Sequence, residues 1–499
     1  MVLRQHRLLQ SQGVVPLSLS RLHFRRSDPL AWADPLAAAD SARTPQSRER
    51  GPWARVRSIV SDTHILALTD QAVVSAASFL TTVIIGRFTQ PSELGLYSIG
   101  LALLASCLCI QEALISTPYA VQRHQFPGTT ADRAGASLAQ TGILAALAAA
   151  AMSVTACGLS AAGAGDQLVL LFWALTGIAP LLIMREFARR FAFAHLRVAQ
   201  ALILDTAAAV IQLTALIWLA ANGQISAVTA YAAIGGAGAL TGFLWLYIAR
   251  AGIRVRPDGI PAAAKQSWGL GKWLFVTQLI GLLQSSLVYW LVAWLGGTMA
   301  AGIYTACMSI ALFLNPLILG ASNILTPSSA FAWTEGGGER LRRESIRVSL
   351  GLGALLALFC AAVVLFGDLA MHFLYPSKDY AGQGHTVTVL ALAMLVMALG
   401  TPAISALTSM ERPRAIFWSG LWATAVTVVV LCSLMPNFGL VGAAYGVLAG
   451  NLVRTAVRWI SFLSLVSTVS GKAGSCGNWT PADSLLTQGK QRLSEASRT

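Results

Sequence analysis

The sequence predicts an all-α integral membrane protein: about twelve transmembrane helices in two pseudo-symmetric six-helix bundles around a central cavity. Three observations carry this expectation. Hydrophobic residues make up 55% of the chain and charged residues 11%, against roughly 25% charged in a soluble domain. Apolar runs of about 18 to 25 residues recur along the chain, each long enough to cross a bilayer of ~30 Å. The second half also repeats the first at an offset of about 207 residues. Thr69-Asp70-Gln71 and Gly95-Leu96-Tyr97 return as Thr277-Gln278 and Gly302-Ile303-Tyr304.

Taken in order, the apolar runs of the first half are 72–86 (prolonged by 65–69), 94–114, 134–158, 168–184, 199–221 and 227–249. Those of the second half are 273–294, 300–322, 349–366, 387–408, 416–435 and 440–453, the last continuing past Arg454. Helices satisfy the backbone of such spans internally. The turns repeat as well: Thr117-Pro118 returns as Thr326-Pro327, and the stretch 226–231 ending in Tyr231 returns as 440–445 ending in Tyr445. Around the spans the chain divides into a basic, disordered cytoplasmic arm (1–60), an N-terminal bundle (61–250), a linker (251–267), a C-terminal bundle (268–470) and a disordered tail (471–499). Pro257, Gly259 and Pro261 mark the linker by their turn chemistry. The run Gly336-Gly337-Gly338 reads as a flexible hinge in a loop over 328–347, and the external loop 367–385 as a lid.

Lys and Arg favour cytoplasmic loops. One set of alternate loops carries Arg123, Arg133, Arg185, Arg189, Arg190, Arg197, Arg250, Arg254, Arg256, Lys265, Lys272, Arg340, Arg342, Arg343, Arg347, Arg412 and Arg414, and the other only Arg87 and Lys378. That bias requires an even number of spans with both termini cytoplasmic. The two halves then run parallel, related by an axis along the membrane normal, an arrangement typical of transporters that rock one half against the other. The net charge of +14 is therefore a topology signal. It implies contact with anionic membrane lipids and no nucleic-acid partner.

No catalytic constellation, nucleotide-binding loop or metal-ligand spacing occurs. The seven cysteines read as small apolar residues, so the expectation is a non-enzyme with no cofactor and no metal. Chemistry is sought instead among polar groups inside the spans, where a charge is costly. Asp70 and Asp205 lie within spans, and Glu112 and Glu186 lie near span ends beside Arg185. The mirror positions of Asp70 and Asp205 are Thr277 and Ser419. Asp70 and Asp205 are candidates for coupling a proton or cation; the alternative is carboxylates paired with arginine for assembly. Arg87 stands where basic residues are otherwise scarce. Arg454 and Arg458, four apart, share a helix face and suit bidentate phosphate contact; the alternative for all three is interfacial anchoring. Gln71, Gln140, Gln212, Gln278, Gln284, Asn315 and Asn451 mark cavity walls or interhelical glue. Ser285 and Tyr289, at i and i+4, suit the lining of a sugar path.

Asp70-Gln71, a span ending Gly86-Arg87, then Pro91, Glu93-Leu94-Gly95-Leu96-Tyr97 and Pro118 together resemble the opening of polysaccharide and O-antigen flippases. These belong to the multidrug and oligosaccharidyl-lipid/polysaccharide exporter superfamily. The resemblance covers residues 65–465 in span layout and the first two spans and their repeats in local motif. It implies an alternating-access flippase in a bacterial inner membrane, moving a polyprenyl-diphosphate-linked glycan for surface polysaccharide synthesis, with a polymerase or glycosyltransferase as partner. Under it, Arg87, Arg454, Arg458, Gln71, Gln278, Ser285 and Tyr289 contact substrate, and Asp70 and Asp205 couple an ion. The second class left open is a cation-coupled multidrug or metabolite antiporter of the same superfamily.

Overall fold

The computed structural model describes residues 52–122 and 129–475. Most of the expected arm and the tail beyond 475 lie outside these residues. The first half comprises α1 (Pro52–Phe88), α2 (Pro91–Gln111), a π turn (Glu112–Ser116), α3 (Thr117–Gln122), α4 (Thr130–Ala161), α5 (Asp166–Ala194), α6 (Val198–Ala221) and α7 (Ala227–Ala249). The second comprises α8 (Gly259–Ala311), α9 (Asn315–Leu374), α10 (Gly384–Leu399), α11 (Thr401–Ser409), α12 (Pro413–Phe438) and α13 (Leu440–Ser475). Helix starts follow local chemistry. Thr129 caps α4 and Ser226 caps α7, each with a reciprocal partner three residues on, which satisfies amides that have no intrahelical acceptor. Pro91, Pro402 and Pro413 open helices at first-turn positions, where a missing N–H costs nothing.

Eleven helices among the described residues are long and apolar enough to cross a membrane. The expected twelve is recovered where two long helices break. Gly297 (φ 77°) interrupts α8 and Gly337 (φ 61°) interrupts α9, both in the left-handed region that glycine tolerates. Stretches 259–296, 298–336 and 338–374 then follow one another as separate spans. The break at Gly297 falls where the first half has the connection between α1 and α2.

Packing repeats as the sequence does. In the first half α1 lies on α6, α4 on α5, and α7 on both α5 and α6; in the second, α8 lies on α12, α9 on α10, and α13 on both α10 and α12. The halves meet mainly where α2 crosses α8. Helices α5, α6 and α7 make no substantial contact with α10, α12 or α13 among the described residues, so the inner faces of the bundles stand apart around the central space. Ile85, Leu94, Tyr97, Leu175, Tyr231, Val292, Tyr304, Val387 and Leu431 belong to one buried cluster spanning both halves. Large apolar side chains such as Val154, Ile203, Leu358 and Leu365 are about 70% exposed, as suits a surface solvated by lipid and not by water.

Three expectations are corrected. The glycine run 336–338 is not a loop: helix continues on both sides of the single break at Gly337. Arg340 bridges the break to Glu335 and also pairs with Glu344, which favours helix on either side. The segment 367–385 is not a lid. Helix α9 runs to Leu374 and α10 starts at Gly384, and Tyr375 and Tyr380 of the short connection are buried against each other with ring centroids 5.1 Å apart. Nor do the turn formers hold 251–267 as a linker: α8 starts at Gly259, with Pro261 in the first turn, where no intrahelical amide bond is lost.

The charge bias makes a direct prediction. A thiol-reactive, membrane-impermeant reagent should label Lys378→Cys in intact cells above the wild-type background. Labelling only after permeabilisation would reverse the orientation.

Candidate functional site

The N-terminal half holds a partly buried ionic network at the end of the bundle opposite Arg87. Helix α5 carries Arg185, Glu186, Arg189 and Arg190, spaced so that Arg185 and Arg189 share one face and Glu186 and Arg190 the next. Asp205 on α6 accepts from Arg185 Nη2 at 2.6 Å and from Arg189 Nε at 2.5 Å. Arg189 Nη2 also donates to Asp70 Oδ2 on α1 at 2.9 Å. The side chains of Asp205 and Asp70 are 0% and 1% exposed. Asp70 Oδ1 is buried with no hydrogen-bond partner among the described residues.

Arg190 forks onto Glu112 at 2.8 and 3.0 Å and donates through Nε to Glu186 at 2.7 Å. Glu112 opens the π turn that follows α2. The residue before it, Gln111, is fully buried and donates to the Ile183 carbonyl of α5 at 2.8 Å. The turn therefore faces α5, and the extra residue of a π turn shifts the register that presents Glu112 to Arg190. Within these pairs, the four carboxylates Asp70, Glu112, Glu186 and Asp205 face the three guanidiniums Arg185, Arg189 and Arg190.

The C-terminal half is of opposite polarity. Arg454 and Arg458 on α13 are half-buried, and no carboxylate pairs with either among the described residues. Arg458 Nε donates to Ser419 Oγ at 3.2 Å. Arg454 Nε is buried with no hydrogen-bond partner among the described residues. Among the described residues, the acids of the second half (Glu335, Glu339, Glu344, Asp368, Asp379 and Glu411) lie near a helix end, a break or a connection.

Arg87 lies at the far end, where its Nη1 donates to the Phe373 carbonyl of α9 at 2.6 Å. This bond joins the two halves. In this arrangement it is a clasp between α1 and α9. Gln71 donates to Ser75 one turn on at 3.4 Å, and Gln212 donates to Thr81 at 2.7 Å, tying α6 to α1. Gln278 is half-buried on α8. Tyr289 packs edge-on against Tyr304, with centroids 5.4 Å apart, within the shared core. The Ser285 side chain lies outside those described.

Sequence reasoning names the acids and offers arginine pairing as the alternative to coupling, but does not identify which arginines reach which acids. The charge rule for loops places Arg185, Arg189 and Arg190 in a cytoplasmic loop, whereas they lie inside α5. Their spacing, Arg185-Glu186 followed by Arg189-Arg190, is a helical i,i+4 pattern, and that signal could have placed them on faces opposite the buried acids.

No protein-family model and no curated protein matches the chain. Solved structures do match over most of its length. An inward-facing multidrug resistance MATE family transporter of the MOP superfamily shares 15% identity and a TM-score of 0.60, covering 82% of this chain and 96% of that one. The outward-facing conformation of such a transporter gives 14%, 0.58, 83% and 96%. A MOP superfamily transporter from Pyrococcus furiosus, described as having a binding pocket of reverse polarity, gives 14%, 0.60, 83% and 96%. At these identities the likeness is one of fold.

Proposed function

We propose that this chain, with the fold of the MOP superfamily transporters, exports an amphiphilic anion by alternating access. Its substrate is a polyprenyl-diphosphate-linked oligosaccharide, moved across a bacterial inner membrane toward surface polysaccharide synthesis. One observation carries the reading: among the described residues, the half-buried Arg454 and Arg458 on α13 have no carboxylate partner. An unpaired guanidinium in the bilayer is costly, and its retention is explained when a phosphate-bearing ligand supplies the missing acceptor, bidentately for arginine.

The test is transbilayer movement of a fluorescent polyprenyl-diphosphate disaccharide in proteoliposomes. Arg454→Gln with Arg458→Gln should slow it at least about tenfold, since each charge-assisted hydrogen bond is worth about 1.5–3 kcal/mol. An unchanged rate would remove the diphosphate reading.

One observation favours the second reading, a cation-coupled multidrug or metabolite antiporter. The carboxylate excess in the network around Asp205 and Asp70 is suited to holding a proton, a metal cation or a cationic drug. In the same vesicles, that reading expects an imposed pH or sodium gradient to drive a lipophilic cationic dye, with no movement of the diphosphate.

A further inference from the structure

The two halves place different groups at one pseudo-equivalent position. Asp205 on α6 corresponds to Ser419 on α12 by the same offset that aligns Tyr231 with Tyr445. Both side chains are buried, at 1% and 0% residue exposure. Both accept from arginine: Asp205 from Arg185 and Arg189 of α5, and Ser419 from Arg458 of α13. The acceptor position is thus shared while the donating helix differs. The charge outcome is opposite. Asp205 neutralises a guanidinium, whereas Ser419 offers a lone pair and no charge. Its hydroxyl proton is already committed to the Ile416 carbonyl at 2.7 Å, so toward Arg458 it acts only as an acceptor.

A second feature holds the arginines in place. Helix α13 presents a ridge of donors at i, i+4 and i+8. Asn451 Nδ2 donates to the Ala393 carbonyl at 2.9 Å, Thr455 Oγ1 to Val396 at 2.8 Å, and Trp459 Nε1 to Leu399 at 2.9 Å. These acceptors lead into the break between α10 and α11. Gly400 N turns back to Met397 O at 3.1 Å, which leaves the Val396 carbonyl without its i+4 amide. A Cβ at Gly400 would stand 2.8 Å from Thr455 Oγ1, so the absent side chain makes room for this rung. The ridge fixes the rotation of α13 about its axis. Arg454 and Arg458 each precede a rung by one residue, so their direction is fixed with it, toward α12 and Ser419.

We propose that Ser419 is the specificity-determining position of the C-terminal half. By giving Arg458 a neutral acceptor where the other half has a carboxylate, it keeps the Arg454–Arg458 pair net-cationic and open to a diphosphate-class anion. This rests on the anion-site reading above and adds which residue sets the polarity. Replacing Ser419 with a carboxylate would pair Arg458 internally and close the site as Asp205 closes its own.

The experiment is equilibrium binding of two probes, farnesyl diphosphate and inorganic diphosphate, to the full chain in nanodiscs. Ser419→Asp should weaken binding roughly tenfold or more, the order expected when like charges are juxtaposed. Ser419→Asn, similar in size and neutral, should lose far less. Ser419→Cys supplies a charge that can be switched within one folded protein. It should bind nearly as the wild type does at pH 6.5 and lose affinity relative to the wild type at pH 9. Equal losses for Asp and Asn, or none for Asp with no pH effect for Cys, would overturn the assignment of Ser419. Arg454→Gln with Arg458→Gln keeps the two failures apart. If that pair retains binding, the anion-site reading itself fails; if it loses binding while Ser419→Asp does not, only the role of Ser419 fails. With the Ser419 pattern intact, preference for farnesyl diphosphate assigns the anion to a lipid headgroup, and equal affinity assigns it to free phosphate.

Discussion

Gly95→Ala should drive the two halves apart at the Arg87 end. Gly95 of α2 crosses the backbone of α8 so closely that an added Cβ would meet the Thr298 carbonyl oxygen at 1.8 Å. The pseudo-symmetric contact is its reciprocal, since a Cβ on Gly302 would meet the Pro91 carbonyl oxygen at 1.7 Å. Contacts below 3.0 Å are essentially never seen for real Cβ atoms, so one methyl requires a retreat of more than 1 Å. Backbone cannot yield as a flexible side chain can. Overpacking of this kind costs about 1–3 kcal/mol. Because the crossing joins the halves, the strain is relieved by parting them without unfolding either. The closed-to-parted ratio should then fall by about 5- to 150-fold.

Two further contacts would open with the crossing: the Arg87 bond to the Phe373 carbonyl, and the seat that Gly86 provides for the Tyr375 ring, 2.4 Å from where its Cβ would lie. Spin labels at Ala162→Cys and Ala381→Cys, both exposed at this end, should report a longer distance in Gly95→Ala than in the parent chain. Gly302→Ala should act alike. The double variant should add little, because both methyls strain one crossing and coupled sites are not additive. An unchanged distance in well-folded protein would mean that the crossing is not a gate.

Much of this was legible in the sequence because the bilayer simplifies the reading. A run of apolar residues has only helix open to it, and the repeat in Gly95 and Gly302 told which helices correspond. The structure adds that these two glycines face one another, which spacing alone cannot show. Reading failed where helix and loop share a composition. Gly336, Gly337 and Gly338 looked like a hinge, but only Gly337 leaves helical φ; the charged neighbours Glu335, Arg340 and Glu344 pair along the helix. The same ambiguity hid Arg185, Arg189 and Arg190. Three arginines at the end of an apolar run satisfy the charge rule for loops, and only the tertiary position of Asp205 and Asp70 turns them inward. Likewise, nothing local distinguishes Ser419 from the many serines that bond back to their own helix. The repeat pairs it with Asp205, but only the structure places Arg458 beside it.

Asp205→Asn should be the most destabilising single change in the N-terminal network and should also alter its charge. Asp205 is the only acceptor that Arg185 has in the network, and it shares Arg189 with Asp70. An amide of the same shape keeps one oxygen but turns a pair of N–H donors toward a guanidinium, which has none to accept with. Breaking a buried pair from one side costs about 3–5 kcal/mol. The lower end applies here, about 3 kcal/mol, because the Arg185 side chain stays 23% exposed and water can take up part of its charge. Against a total stability of roughly 5–15 kcal/mol, this is a large loss and should be plain in thermal unfolding of the purified protein. Asp70→Asn should cost less, since Asp70 holds one arm of Arg189 and already leaves Oδ1 unpaired.

Charge balance separates a coupling role from a structural one. Four carboxylates face three guanidiniums, and either substitution removes the excess. If the excess binds the driving proton or cation, both variants should lose gradient dependence in vesicles, whatever their difference in stability. If gradient dependence survives in folded Asp70→Asn, the excess is not what couples. Asp205 and Asp70 would then serve to hold α1, α5 and α6 together as one moving body.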